Sequence, residues 1–341
     1  MSTAYLTDDR FAAHTLTGHA EFAGRLTAIQ ETLAAHNVPE RMMCLTPEAA
    51  TDEQIRAVHT DEYLDLLSWT ETQRGLQLGP DTYVLPMSFK VAKLSSGAAI
   101  GGVDAVLSGK ALNALVCARP PGHHATPQMG MGFCLLSNVA IAARHAQKAY
   151  GIERVMIMDY DVHHGNGTQD VFYADPSVMF MSTHQFPWYP GTGTVGETGT
   201  GAGIGATVNA PLPAGTGDKG YAEIYRRIVW PVARRFRPEL ILVSAGFDAH
   251  WCDPLGQIKL SLNGYNHLTR ELIAMARELC GGKIVFVLEG GYNLTSLGHG
   301  VLNVAYALLD DPTVVDPLGP ANGKETDITD LIAEIVATHS L

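Results

Sequence analysis

Arg154-Val155-Met156-Ile157-Met158-Asp159-Tyr160-Asp161-Val162-His163-His164-Gly165-Asn166-Gly167 changes character part-way along. Arg154–Met158 is mostly apolar and has the length of a buried strand, whereas carboxylates, imidazoles and glycines follow it. The same transition recurs four times. Leu112–Ala118 runs into Arg119-Pro120-Pro121-Gly122-His123-His124, and Val178–Met181 into Ser182-Thr183-His184. Leu240–Ser244 runs into Ala245-Gly246-Phe247-Asp248, and Ile284–Leu288 into Glu289-Gly290-Gly291-Tyr292. Segments of helical period lie around these runs: Gly24–Ala35, Asp61–Thr72, Val91–Leu107, Asn138–Tyr150, Tyr221–Phe236, Tyr265–Leu279 and Leu297–Leu308. Strand alternating with helix predicts an α/β fold with a parallel sheet covered on both faces. Ligands of such sheets bind outside the carboxyl ends of the strands, so five polar strand ends predict one site.

With 341 residues, 46% of them hydrophobic, the chain is long enough to bury a substantial core. It carries no internal repeat, low-complexity tract or Pro/Ser-rich linker, so residues 1–341 read as a single domain. The N-terminus lacks the basic start and apolar run of a signal peptide, and no stretch is apolar for long enough to span a bilayer; the expectation is a cytoplasmic protein with no membrane partner. The five cysteines are scattered and never spaced as C-x-x-C, which points to reduced, buried thiols rather than to disulfides or a thiolate metal site. A net charge of −12 repels phosphate backbones and argues against nucleic acid as a partner. It would suit a cationic ligand such as a polyamine or a Lys-rich peptide, although a solubilising surface explains it as well.

In an extended segment residues two apart point the same way, so Asp159, Asp161 and His163 are expected to project from one edge. Carboxylates and imidazole suit zinc or another divalent transition metal, and catalytic zinc keeps about three protein ligands. Asp248, at another strand end, is the natural third member beside Asp161 and His163. By itself Asp-x-Asp-x-His could equally be a solvated strand end; it is the other polar strand ends that favour the metal. His123 and His124 follow the rigid turn Pro120-Pro121-Gly122, and two imidazoles that titrate near neutrality can act as base and as acid or electrostatic partner beside a metal. Tyr292, after Gly290-Gly291, could donate a hydrogen bond to an oxyanion. A Tyr in a Gly-rich loop is more often structural; its place at a fifth strand end raises the functional reading. Gly191–Thr194 and Gly199–Gly205 resemble phosphate loops only superficially, lacking the P-loop lysine, and read as ordinary loop.

Taken together, the segments Arg119-Pro-Pro-Gly-His-His-Ala, Gly132-Phe-Cys, Asp159-Tyr-Asp-Val-His-His-Gly-Asn-Gly-Thr-Gln, Ser182-Thr-His, Pro190-Gly-Thr-Gly, Ser244-Ala-Gly-Phe-Asp-Ala-His, Asp253-Pro-Leu-Gly and Leu288-Glu-Gly-Gly-Tyr-Asn-Leu resemble, in order, the zinc-dependent histone deacetylase superfamily. That superfamily includes bacterial deacetylase-like amidohydrolases and acetylpolyamine amidohydrolases. The resemblance implies an arginase-like three-layer fold, a central and mostly parallel sheet of about eight strands flanked by helices. It implies one Zn2+ held by Asp161, His163 and Asp248, with His124 as the base that activates water and His123 as its electrostatic and proton-donating neighbour. Asp159 would hydrogen-bond His123, Asn166 would orient His124, and Tyr292 would polarise the acyl carbonyl. Asn at position 166 resembles class II rather than class I members.

The resemblance also implies structural K+, one site at Asp159, Asp161, His163, Ser182 and Thr183 and an outer one at Phe172, Asp175 and Val178. An acyl-lysine tunnel would be lined by Gly132, Phe133 and Tyr189, with Asp81 at its rim. The family's usual His-Pro-Glu stands here as His19-Ala20-Glu21, with Arg25 as the basic residue behind the site. Leu255 stands where a polyamine-selective relative has an acidic gatekeeper, which favours acyl-lysine in a peptide or protein over a free acetylated polyamine. The expected activity is hydrolysis of N-acyl-lysine amides. The alternatives are an acetylpolyamine amidohydrolase and a non-catalytic fold member that binds acylated ligands. A His/carboxylate site of this kind takes zinc or iron(II), and a homo-oligomer is compatible with the sequence.

Overall fold

The computed structural model describes residues 2–341. Its centre is an eight-stranded sheet of Thr3–Leu6 (β1), Met43–Leu45 (β2), Asn113–Val116 (β5), Val155–Asp159 (β6), Val178–Gln185 (β7), Thr207–Leu212 (β8), Leu240–Ala245 (β9) and Ile284–Leu288 (β10). Leu76–Leu78 (β3) and Thr82–Val84 (β4) form a separate antiparallel hairpin. The strand order in the large sheet is β2-β1-β5-β10-β9-β6-β7-β8, and every pairing in it is parallel. β5, β6, β7, β9 and β10 are buried along their whole length, which follows from their continuous Val/Ile/Leu/Met character and from helices on both faces. This is the α/β architecture expected from the sequence.

The helices obey the same local rules. Leu262–Cys280 starts at Ser261, whose side chain accepts from the Gly264 N–H at 3.0 Å, and it buries Leu268, Leu272, Met275 and Ala276 on one stripe. The expected helix Tyr221–Phe236 is a longer helical run from Asp218 to Phe236 that widens by one π-type turn at Tyr225–Val229. Three strands of the large sheet and both strands of the hairpin escaped the sequence reading. β1 and β2 have only four and three residues, too few for a pattern. β8 carries Asn209 and Pro211 and tolerates the proline because it is the outermost strand. No helix among the described residues is long and apolar enough to cross a membrane. Charge is also less even than the total suggests: Arg226, Arg227, Arg234, Arg235 and Arg237 fall on the run ending at Phe236 and its cap, a basic concentration that the net-charge argument overlooks. Arg226 is paired there with Glu223 and Arg234 with Glu278.

A buried charge cluster closes the fold under the N-terminal segment. Glu21 takes both Arg119 Nε (2.6 Å) and Arg119 Nη2 (2.5 Å) and lies 3.3 Å from Arg25 Nη1, all three side chains being fully buried. Burial alone would raise the Glu21 carboxyl, but the charge and hydrogen bonds of Arg119, with His14 and Arg25 adding to them, bring it down to about 2. Its stabilising contribution is therefore complete above the ordinary value of 4.5 and is lost as pH falls through about 2. Glu21→Ala is expected to destabilise the chain by about 3–5 kcal/mol, because it strands two guanidiniums in the interior; denaturant unfolding at neutral pH measures this.

Candidate active site

β5, β10, β9, β6 and β7 are consecutive in the sheet and parallel, so their carboxyl ends lie on one edge. His123–His124 follow β5, Tyr292 follows β10, Asp248 follows β9, Asp159–His163 close β6 and Ser182–Tyr189 run out of β7. The strand of β6 ends at Asp159, however, and Asp161 and His163 lie in the bend beyond it, so strand alternation does not orient them as expected. Side chains clamp that bend instead: Asp161 N donates to Asp159 Oδ1 at 3.1 Å and His163 N to Asp161 Oδ1 at 2.9 Å.

Asp161, His163 and Asp248 converge closely enough to hold one ion, with their ligand atoms all within 4.8 Å of one another. His163 Nδ1 faces Asp161 Oδ1 at 3.1 Å and Asp248 Oδ2 at 3.2 Å. One ring nitrogen cannot satisfy two carboxylates with one proton, and Asp248 Oδ2 is buried without a hydrogen bond of acceptable geometry. The remaining oxygens are occupied, since Asp248 Oδ1 accepts from Val162 N (2.9 Å) and Asp161 Oδ2 from Gly290 N (2.8 Å). Two carboxylates and an imidazole with one orphaned oxygen between them are the donor set of a divalent cation. A Cβ on Gly290 would press on both carboxylates, so only glycine fits there. His123, Cys134 and Glu289 also cluster, but Glu289 is already engaged by Gly122 N (2.7 Å), His123 N (3.2 Å) and Ser244 Oγ (3.2 Å).

The surroundings push the two imidazoles beside this group in opposite directions. His123 Nδ1–H donates to Asp159 Oδ2 at 3.0 Å. Burial would lower His123, but Asp161, Asp159 and Glu289 outweigh it and hold the ring well above its ordinary range, as an imidazolium. His124 Nδ1–H donates to Asn166 Oδ1 at 2.7 Å. Burial, with the charges of His123 and His163, holds His124 well below its ordinary range, so it stays neutral with Nε2 free to accept a proton. The rings are 4.0 Å apart. The phenol of Tyr292 is pushed well above its ordinary range by burial, against Arg25 and together with Asp248 and Asp161, and so remains a hydrogen-bond donor. Arg25 lies 5.0 Å over its ring and holds Gly291 O (2.7 Å) and Glu289 O (2.5 Å).

Above these groups opens a pocket of about 300 Å³ lined by Asp81, His124, Gly132, Phe133, His163, Trp188, Tyr189, Pro254, Leu255 and Tyr292. Phe133 meets Tyr292 edge-on at 5.7 Å, and Tyr189 meets His124 at 5.1 Å. Gly132 permits this narrowness, since its φ is +55° and a Cβ there would press on the His124 ring. Asp81 reaches the wall from the tip of the β3–β4 hairpin, where its Oδ1 accepts from Gly132 N (3.3 Å) and Thr82 Oγ1 (2.9 Å). A larger cleft, about 370 Å³ between Lys219 and Ile332, offers no comparable chemistry, its Glu325 being used to accept from the Lys219 and Gly220 N–H groups.

Of the five residues matched to an inner K+ site, Asp159, Ser182 and Thr183 lie on the neighbouring strands β6 and β7, with Asp159 paired to Ser182 and Thr183 Oγ1 donating to Asp159 O at 3.5 Å, while Asp161 and His163 lie in the bend beyond β6. Phe172, Asp175 and Val178 lie close in the chain; Asp175 N donates to Phe172 O (2.9 Å), while its carboxylate is held by Arg144 (2.6 Å) and Ser177 (2.6 Å). Cys117, Cys134 and Cys280 are buried as expected, but Cys44 is exposed and Cys252 half-buried; none is paired. The sequence reading gave no role to Trp188, Asp253 or Glu289. The first carried no signal beyond its neighbour Tyr189, whereas the other two stood inside quoted motifs, where an acidic residue among ligand-type residues is a usable cue.

Residues 19–308 match the histone deacetylase domain. A probable deacetylase of Archaeoglobus fulgidus is 44% identical over 278 residues, 81% of this chain and 77% of that protein. The polyamine deacetylase HDAC10 of Mus musculus is 41% identical over 85% of this chain, which spans 45% of the mouse protein. The crystal structure of the HDA15 HD domain superposes with a TM-score of 0.91 at 35% identity, covering 99% of this chain and 94% of that one. The strand-end site thus stands on a fold and sequence shared throughout its length, and the chain belongs to the histone deacetylase family, as a hydrolase acting on amide bonds.

Proposed function

We propose that the chain hydrolyses the amide of N-acyl-lysine, acetyl-lysine or a related acyl-lysine, in peptides or proteins, releasing the carboxylic acid and the free amine. The observation that carries this is the paired geometry of His123 on Asp159 and His124 on Asn166, side by side next to the Asp161, His163 and Asp248 group. Neutral His124 takes the proton of the attacking water on Nε2, and Asn166 fixes the tautomer that leaves this nitrogen free. His123, kept cationic by Asp159, favours the developing negative charge and lies beside the path by which the departing amine regains a proton. Tyr292 donates to the oxyanion as the carbonyl carbon becomes tetrahedral. Zinc held by Asp161, His163 and Asp248 would acidify water and polarise the acyl carbonyl. Asp159, Asp161, His163, Ser182 and Thr183 would hold a structural K+, and main-chain oxygens of Phe172, Asp175 and Val178 a second.

Gly132, Phe133 and Tyr189 flank the pocket with flat faces that suit a desolvated methylene chain. The neutral Leu255 at the mouth supports acyl-lysine over a free polyamine. Acetylated polyamines are the second reading, favoured by the likeness to the mouse polyamine deacetylase and by the net charge of −12. We take residues 1–341 as one catalytic domain working in the cytoplasm.

A panel of acetyl-lysine peptides, longer acyl-lysine peptides, acetylspermidine and acetylputrescine, assayed with the zinc-loaded protein, tests this. Peptides are expected to be turned over with higher kcat/KM than the polyamines. The reverse order would replace the substrate, and no turnover at all would leave a protein that only binds acylated ligands.

A further inference from the structure

The phenol of Tyr292 can act only if the backbone beneath it is fixed, and one carboxylate supplies that anchor from outside the loop. Asp253 is 5% exposed. Its Oδ2 accepts from Tyr292 N at 2.7 Å and from Asn293 N at 3.0 Å. Its Oδ1 accepts from Leu255 N at 2.9 Å. Leu255 and Pro254 form part of the pocket mouth, so a single side chain ties the mouth to the base of Tyr292. The mouth is tied a second time from the facing wall, where Trp188 Nε1 donates to Leu255 O at 2.8 Å. Asn293, the other residue held by Asp253, caps the helix Leu294–Leu308 through Ser296 N at 3.0 Å. The segment carrying Tyr292 is therefore fixed to a rigid element behind it and to the substrate entrance beside it.

We infer that Asp253 is a positioning residue for Tyr292, coupling the Trp188–Leu255 lip of the pocket to the phenol. Asp253 does not line the pocket; it acts by holding the Tyr292 amide. The inference rests on the hydrolase reading above, and on Tyr292 as its oxyanion donor. Charge-assisted hydrogen bonds to backbone amides are among the stronger single contacts in a fold, and a misplacement of about 1 Å at a reacting group can lower turnover about a hundredfold.

A double-mutant cycle separates positioning from general structural support. Asp253→Asn is expected to lower kcat for an acetyl-lysine peptide by about tenfold to a hundredfold, with KM and metal content near those of the parent protein. In a Tyr292→Phe background the same change is expected to have no further effect on kcat, since the group it positions is gone. Trp188→Phe keeps an aromatic ring at the exposed mouth but loses the donor to Leu255 O, and it decides the matter if Asp253→Asn does not fold. Its expected loss is about two- to tenfold in kcat, again absent in the Tyr292→Phe background. Equal losses in both backgrounds, or no loss in the parent, would overturn the inference and leave the hydrolase reading standing. A Tyr292→Phe protein as active as the parent would instead remove Tyr292 from the mechanism and this inference with it.

Discussion

Tyr292→Phe is expected to lower kcat by a factor on the order of 100 to 1,000 while leaving metal content and KM nearly unchanged. The phenol is a neutral donor in the pocket wall: burial, Asp248 and Asp161 oppose its ionisation, and Arg25 favours it. A donor of this kind strengthens its hydrogen bond as charge develops on the carbonyl oxygen, so its removal is felt in the transition state rather than in substrate binding. The ring itself packs on Phe133 and under Arg25, and Phe keeps both contacts, so the variant isolates the hydroxyl. Steady-state kinetics with an acetyl-lysine peptide, beside metal analysis of the same sample, gives the result. A fall confined to KM would reassign Tyr292 to substrate binding.

The second large effect is expected at Asp248. Asp248→Ala should lose stoichiometric metal and fall to background activity, because two remaining ligands do not make a site with the usual three or four protein or water donors. The metal-free chain should behave differently. There Asp161 and Asp248 are like charges sharing one imidazole, and burial with the Asp161 charge pushes the Asp248 carboxyl upward. Removing it relieves that repulsion, so the metal-free variant should unfold at a temperature no lower than the metal-free parent. Added zinc should raise the parent's Tm by mass action and leave the variant's unmoved. Equal zinc-induced shifts in both proteins would show that the ion binds elsewhere.

Much of this site was visible in the sequence because each ligand stands directly after an apolar run, where a parallel sheet puts its business edge. His123, Asp161, Asp248 and Tyr292 could be selected that way without any knowledge of contacts. The manner in which Asp161 and His163 are aimed was misread, since periodicity describes strands and these two lie in a bend set by side chain to backbone hydrogen bonds. Trp188 and Asp253 went unassigned for a related reason. The bonds that give them their roles, Trp188 to Leu255 O and Asp253 to Tyr292 N, reach main-chain atoms more than 35 positions away, and no local pattern carries such a partner. The short strands β1 and β2 were invisible because three or four residues hold less than one full alternation beyond chance.

The position of β10 has a consequence for the order of assembly during synthesis. It is the last strand of the sheet to be made, yet it lies in the interior, between β5 and β9. A nascent chain stopped before Ile284 holds two half-sheets with unpaired inner edges, and it lacks both Gly290, whose amide steadies Asp161, and Tyr292. Its strands are non-local partners that must wait for a segment more than 160 residues downstream of β5, a topology that folds slowly. The growing polypeptide therefore lacks Tyr292 and the Gly290 amide until β10 has been made, and the strand-end site is completed only with the closing of the sheet.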